Sequence, residues 1–153
     1  MVALENIAYM PEFQFHPFTQ RIIDLIRQDL RKDRITKEEF IQAMSIFGEG
    51  VDLDKKKYFL FRIYDKDGSG TLTPDEFKVI FQTFLFPREH FRYGEAFNPE
   101  KTRSVFTDKV CDEILRVILD RFDSDGNGVI SYDEFAEAVT DSDIQLCLSI
   151  PFN

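Results

Sequence analysis

Asp65-Lys66-Asp67-Gly68-Ser69-Gly70-Thr71-Leu72-Thr73-Pro74-Asp75-Glu76 and Asp123-Ser124-Asp125-Gly126-Asn127-Gly128-Val129-Ile130-Ser131-Tyr132-Asp133-Glu134 are two twelve-residue stretches built to one plan. Each has oxygen-bearing side chains at positions 1, 3 and 5, glycine at 6 and glutamate at 12. The pattern suits a calcium ion, a hard cation that takes roughly six to eight oxygens at about 2.3–2.6 Å. Alternate short side chains of a tightly wound loop converge on one point, and the glycine permits the turn. A glutamate at position 12 lies on the following helix and offers both oxygens. A surface turn rich in glycine and acid is the bland reading of one such stretch. Two in register, each followed by phenylalanine (Phe77, Phe135), make it weak.

This is the spacing of the EF-hand loop. In the second stretch the expected ligands are Asp123, Asp125, Asn127, the Val129 carbonyl and Glu134, with Ser131 acting through water. In the first they are Asp65, Asp67, Ser69, the Thr71 carbonyl and Glu76, with Thr73 through water. Ser69 departs from the usual Asp or Asn, but a hydroxyl is still an oxygen donor. Each loop supplies three carboxylates, so a bound calcium leaves a local charge of about −1. Two Ca2+ sites are expected, with Mg2+ as the resting occupant. Leu72 and Ile130, at position 8, suit the short strands that couple two loops.

The chain has 153 residues and a formal charge of −9, which argues against nucleic acid as a partner. At 43% hydrophobic residues it can bury a core. It shows no apolar run of membrane-spanning length, no signal peptide, no lipidation box and no glycine after Met1 for myristoylation. The expectation is a cytoplasmic protein with no direct membrane anchor, associated with membranes at most through a partner. Cys111 and Cys147 then read as reduced thiols. His16 and His90 form no zinc pattern with them. No nucleophile–base pair or phosphate-cradling loop stands out, and an enzyme is not expected.

Most of the chain reads as helix, so the fold class is all-α: an array of helix-loop-helix hands with short antiparallel strands pairing the loops. Ile22, Ile23, Leu25 and Ile26 mark one face of a helix ending near Leu30. Residues 28–39 then keep the loop frame, with Ile35 at position 8 and Glu39 at position 12. The ligands are gone: Gln28, Leu30 and Lys32 stand at the donor positions and Asp33 replaces the glycine. Arg31, Lys32 and Arg34 would repel a cation, so this hand is read as degenerate and metal-free.

Loops starting at 28, 65 and 123 leave gaps of 37 and 58 residues, so some twenty residues are inserted at about 84–106. This insertion mixes Phe86, Phe91, Tyr93 and Phe97 with Arg88 and Arg92. It reads as a linker packed on adjacent helices or as a target-binding segment. The organisation expected is an N-terminal half-lobe, 1–50, carrying the degenerate hand, and a C-terminal lobe, 51–153, carrying the two calcium hands and the inserted linker. Spacing alone would pair loop 28–39 with loop 65–76.

Met10-Pro11-Glu12-Phe13, His16-Pro17-Phe18 and Arg21-Ile22 resemble a stretch of the calcium- and integrin-binding proteins, with related text in calcineurin B. Met44-Ser45-Ile46-Phe47, the run Tyr58 to Asp65 and the ending Asp141 to Ile150 resemble the same calcineurin B-like family. That resemblance implies pairing of loop 65–76 with loop 123–134. It implies a non-enzymatic protein that uses calcium or magnesium in its last two hands and holds an amphipathic helix of a partner in a hydrophobic groove. A C-terminal extension can occupy or border that groove. Some relatives have Asp at the position of Glu76, which would favour magnesium. On this alignment the chain begins in the exit segment of a first hand, leaving the degenerate hand without a mate.

The function expected is a calcium-responsive regulatory module, with a groove lined by Phe81, Phe84, Ile114, Ile118 and Val139. The partner would be a helical segment of a protein target such as a membrane-protein cytoplasmic tail, a kinase or a phosphatase. A constitutive structural subunit with permanently bound metal and a calcium buffer are the alternatives. The unpaired degenerate hand would offer a surface for dimerisation.

Overall fold

The structure is a computed structural model that describes residues 1–14, 16, 18–48, 50–85 and 108–148. Expectations about the insertion at 84–106 fall largely outside these residues. Two compact units are present, one made of residues 1–63 with 139–153, the other of residues 64–138.

In the first unit, strand β1 (Val2–Ala3) leads into a 3-10 helix, Leu4–Tyr9. A short α1 (Pro11–Gln14) and the longer α2 (Thr19–Leu30) follow. The apolar stripe of α2 is buried as its periodicity requires, with Ile22, Ile23, Leu25 and Ile26 all inside. Strand β2 (Arg34–Ile35) precedes α3 (Lys37–Met44), and a 3-10 turn, Ser45–Phe47, ends at Gly48. Helix α4 (Leu53–Tyr64) starts at Asp52, whose carboxylate accepts the Asp54 N–H at 2.9 Å. Phe13, Phe47 and Phe59 meet edge to face in sequence, at 5.9 and 5.7 Å between centroids.

One expectation is overturned here. The degenerate hand has a mate: β1 pairs antiparallel with β2, Val2 opposite Ile35 and Ala3 opposite Arg34. The Leu4 N–H extends the pairing by donating to the Asp33 carbonyl at 3.0 Å. Ile35, Leu4 and Ile7 are buried as a result. The proposed dimerisation through an unpaired hand therefore loses its premise. Arg27 reinforces the arrangement by bridging Glu5, Asp24 and Asp33.

A C-terminal helix that the motif reading did not resolve, here α8 (Asp141–Leu148), belongs to this same unit. Thr140 and Asp143 exchange capping hydrogen bonds at its start, and Ile144 and Leu148 are buried.

The second unit contains strand β3 (Thr71–Leu72), α5 (Pro74–Leu85), α6 (Asp108–Phe122), strand β4 (Ile130–Ser131) and α7 (Tyr132–Ala138). Strands β3 and β4 pair antiparallel, Leu72 opposite Ile130 and Thr71 opposite Ser131. The two acidic loops are therefore partners across the longer gap, as the family resemblance implied and simple spacing did not. Leu72 and Ile130 are wholly buried, and Phe77, Ile80, Cys111, Leu115 and Phe135 join them in the core. Tyr64 meets Phe135 edge to face, 6.2 Å between centroids. Among the described residues no helix is long and apolar enough to cross a membrane.

Candidate metal centres

Both acidic loops begin where a helix stops. Helix α4 ends at Tyr64 and α6 at Phe122, each one residue before the first aspartate. Gly70 and Gly128, at position 6, sit at φ +84°. This left-handed conformation lets the chain reverse around a central point.

Asp65 organises the first loop. Its two carboxylate oxygens accept the N–H groups of Ser69 (3.0 Å) and Gly70 (2.9 Å), while Asp67 accepts Ser69 at 2.9 Å. The Ser69 hydroxyl and the Thr71 carbonyl, both expected ligands, lie 3.0 Å apart. Asp123 does the same in the second loop, taking the N–H groups of Gly126 (2.8 Å), Asn127 (3.1 Å) and Gly128 (2.8 Å). Asn127 donates its amide to Asp125 at 2.8 Å and accepts the Val129 N–H at 2.9 Å.

The position-12 glutamates reach back across their loops. Glu76 accepts the Lys66 N–H at 2.8 Å with one oxygen and the Thr73 N–H at 2.9 Å with the other. Glu134 accepts Ser124 N–H and Ser131 N–H in the same way, both at 2.9 Å. The hydroxyls of Thr73 and Ser131, expected to act through water, donate directly to these carboxylates at 3.0 and 2.8 Å. The hydroxyl of Ser124 donates to Glu134 as well, a contact that motif reading misses because position 2 carries no residue preference.

Hydrogen bonds to a carboxylate favour its ionised form. The Ser131 N–H and hydroxyl, with the Ser124 groups behind them, hold Glu134 down to about 2. The Ser69 hydroxyl and N–H hold Asp67 below the usual carboxylate range. Glu134 and Asp67 thus keep their charge at neutral pH. Asp65, Asp67 and Glu76 bring one oxygen each to within 4.8 Å of one another, and so do Asp123, Asp125 and Glu134. Convergent anionic oxygens, without histidine or cysteine, are the donor set of a hard cation and fit calcium.

The expected groove residues lie on different elements. Ile114 and Ile118 are half-buried one turn apart on α6. Phe81 and Phe84 lie on α5, with side chains outside the described part of the structure. Val139 is buried and falls in the first unit. Cys111 is a free, buried thiol.

Two strand-paired loops, each flanked by helices and closed by a glutamate from the exit helix, define a pair of calcium-type hands. The sequence profile of the EF-hand domain pair matches residues 54–140, more than half of the chain. The chain belongs to the EF-hand family. It is similar to the B subunit of calcineurin from Naegleria gruberi, 24% identical over 149 residues that cover 97% of this chain and 74% of that protein. It is an EF-hand calcium-binding regulatory protein close to the calcineurin B-like family.

Proposed function

We propose that the chain is a calcium-responsive module that binds an amphipathic helix of a partner protein, without catalysis of its own. The observation that carries this reading is the pairing of Leu72 with Ile130, which joins two convergent acid clusters into one strand-paired unit. The ligands proposed are Asp65, Asp67, Ser69, the Thr71 carbonyl and Glu76, and Asp123, Asp125, Asn127, the Val129 carbonyl and Glu134. Two calcium sites follow, with magnesium as the resting ion. Glu76 and Glu134 stand in the first turns of α5 and α7, so their ligation would set how these helices leave the loops.

Helix α6 supplies an apolar stripe for a partner. Val110 and Val117 are exposed and Ile114 and Ile118 half-buried, the spacing that an amphipathic partner helix reads. The Naegleria relative is by name one component of a larger assembly. That favours a protein partner such as a phosphatase or kinase, or the cytoplasmic tail of a membrane protein. We place the chain in the cytoplasm, reaching membranes only through such a partner. The lobe division 1–50 and 51–153 is retained as the proposed functional organisation.

Calorimetry with calcium tests the metal step: no binding below about 1 mM, the weak end for such modules, overturns it. Affinity capture in calcium and in chelator tests the switch. Recovery of a partner only in calcium supports it, and equal recovery supports a constitutive subunit with permanently bound metal. A buffer predicts no partner and no apolar-dye binding when calcium is added.

A further inference from the structure

We propose that Lys32 is a built-in replacement for the metal ion of the degenerate hand, holding its position-12 glutamate so that α3 stays fixed to the loop without calcium. The proposal is independent of which partner the chain binds.

Glu39 occupies the place of Glu76 and Glu134 and keeps half of their hydrogen bonding. One carboxylate oxygen accepts the Thr36 N–H at 2.9 Å, while the Thr36 side chain accepts the Glu39 N–H at 3.2 Å. The other oxygen differs. In the acidic loops it takes backbone N–H groups from positions 2 and 3. In the degenerate hand it takes the Lys32 ammonium at 2.5 Å.

The backbone explains the exchange. Helix α2 runs on through Leu30, so loop positions 1 to 3 are helical and their N–H groups are committed to the helix. The chain leaves the helix at Arg31, the one non-glycine residue at positive φ among the described residues, with φ +53°. Lys32, at position 5, then meets Glu39 on α3. Without an opposite charge that carboxylate would face the loop with a single partner. The ammonium is also the leading cause of Glu39's lowered pKa.

The positive charge that elsewhere has to be recruited is thus part of the chain. Calcium responses would then be confined to the 65–76 and 123–134 pair, and the first unit would hold its arrangement in either metal state.

Amide hydrogen exchange on the full-length protein by NMR tests this, with saturating calcium and with chelator. Protection of α3 amides such as Phe40 should be equal in the two conditions, and a calcium-dependent change there overturns the proposal. Lys32→Met should reduce that protection ~3- to 5-fold, the size of a good exposed ion pair, in both conditions. Lys32→Arg should restore it. The deciding measurement repeats Lys32→Met in a Glu39→Gln background, where the effect should vanish because no carboxylate needs holding. An equal loss in both backgrounds would show that Lys32 acts by packing and would overturn the proposal.

Discussion

The acidic loops and the degenerate loop share half of their construction. In all three, position 8 is an aliphatic residue buried in a strand pair: Leu72, Ile130 and Ile35. In all three, a hydroxyl at position 9 and a glutamate at position 12 cap the exit helix. They differ at positions 1 to 5. Two loops collect carboxylates around a turn, while the third stays helical through position 3 and presents a lysine at position 5. Scaffolding and metal ligation are therefore separable tasks of the same twelve residues. A loop can lose the second and retain the first.

The comparison is broken most severely by emptying the shared position 8. Leu72→Ala and Ile35→Ala should each destabilise the protein by about 2–5 kcal/mol in urea unfolding, because both side chains are fully buried. Calcium should recover part of the Leu72→Ala loss in the transition followed by probes in the 64–138 unit, through linkage to the folded loops, and should leave the Ile35→Ala loss unrecovered in the transition followed by probes in the first unit. Recovery of Ile35→Ala by calcium would mean the two kinds of loop are not independent.

At position 12, Glu134→Gln should weaken calcium at the second loop by ~100-fold in calorimetry, since it removes a charged bidentate ligand. Glu39→Gln should leave both calcium affinities unchanged. Ser69→Ala sharpens the contrast between the acidic loops themselves: loss of one neutral donor should cost only about 3-fold at the first site.

The smallest effect is a pH dependence. Glu134 titrates lower in the folded chain than its ordinary value of 4.5, at about 2, because Ser131 and Ser124 donate to it. Its contribution to stability is present above pH 4.5 and is lost as pH falls from there towards about 2. In chelator, Ser131→Ala should raise the Glu134 carboxyl pKa, read by carbon NMR titration. An unchanged value would show that the capping hydroxyl does not set it.

Much of the site was legible because an EF-hand loop is local. Its donors lie within twelve residues, so spacing alone brings Asp65, Asp67 and Glu76 together, and Asp123, Asp125 and Glu134. The helices were legible where they are long and periodic, as in α2 and α6. Short elements such as the 3-10 helix Leu4–Tyr9 were not, because a few residues carry no period. The partner of Lys32 was not legible for a related reason. A cation in a loop looks like a reason for no metal, and only the path of the chain shows which carboxylate it meets.

The amino-acid sequence by itself determined the all-α class, the twelve-residue frames, the carboxylates that converge in two of them and the loss of such residues at the donor positions of 28–39. The tertiary structure decided which frames pair: Leu72 with Ile130 across the long gap, and Ile35 with Val2 at the chain's start. It also assigned α8 to the first unit. Ligand spacing is a property of neighbouring residues, whereas strand pairing is chosen by burial of distant apolar side chains, and no local pattern encodes that choice.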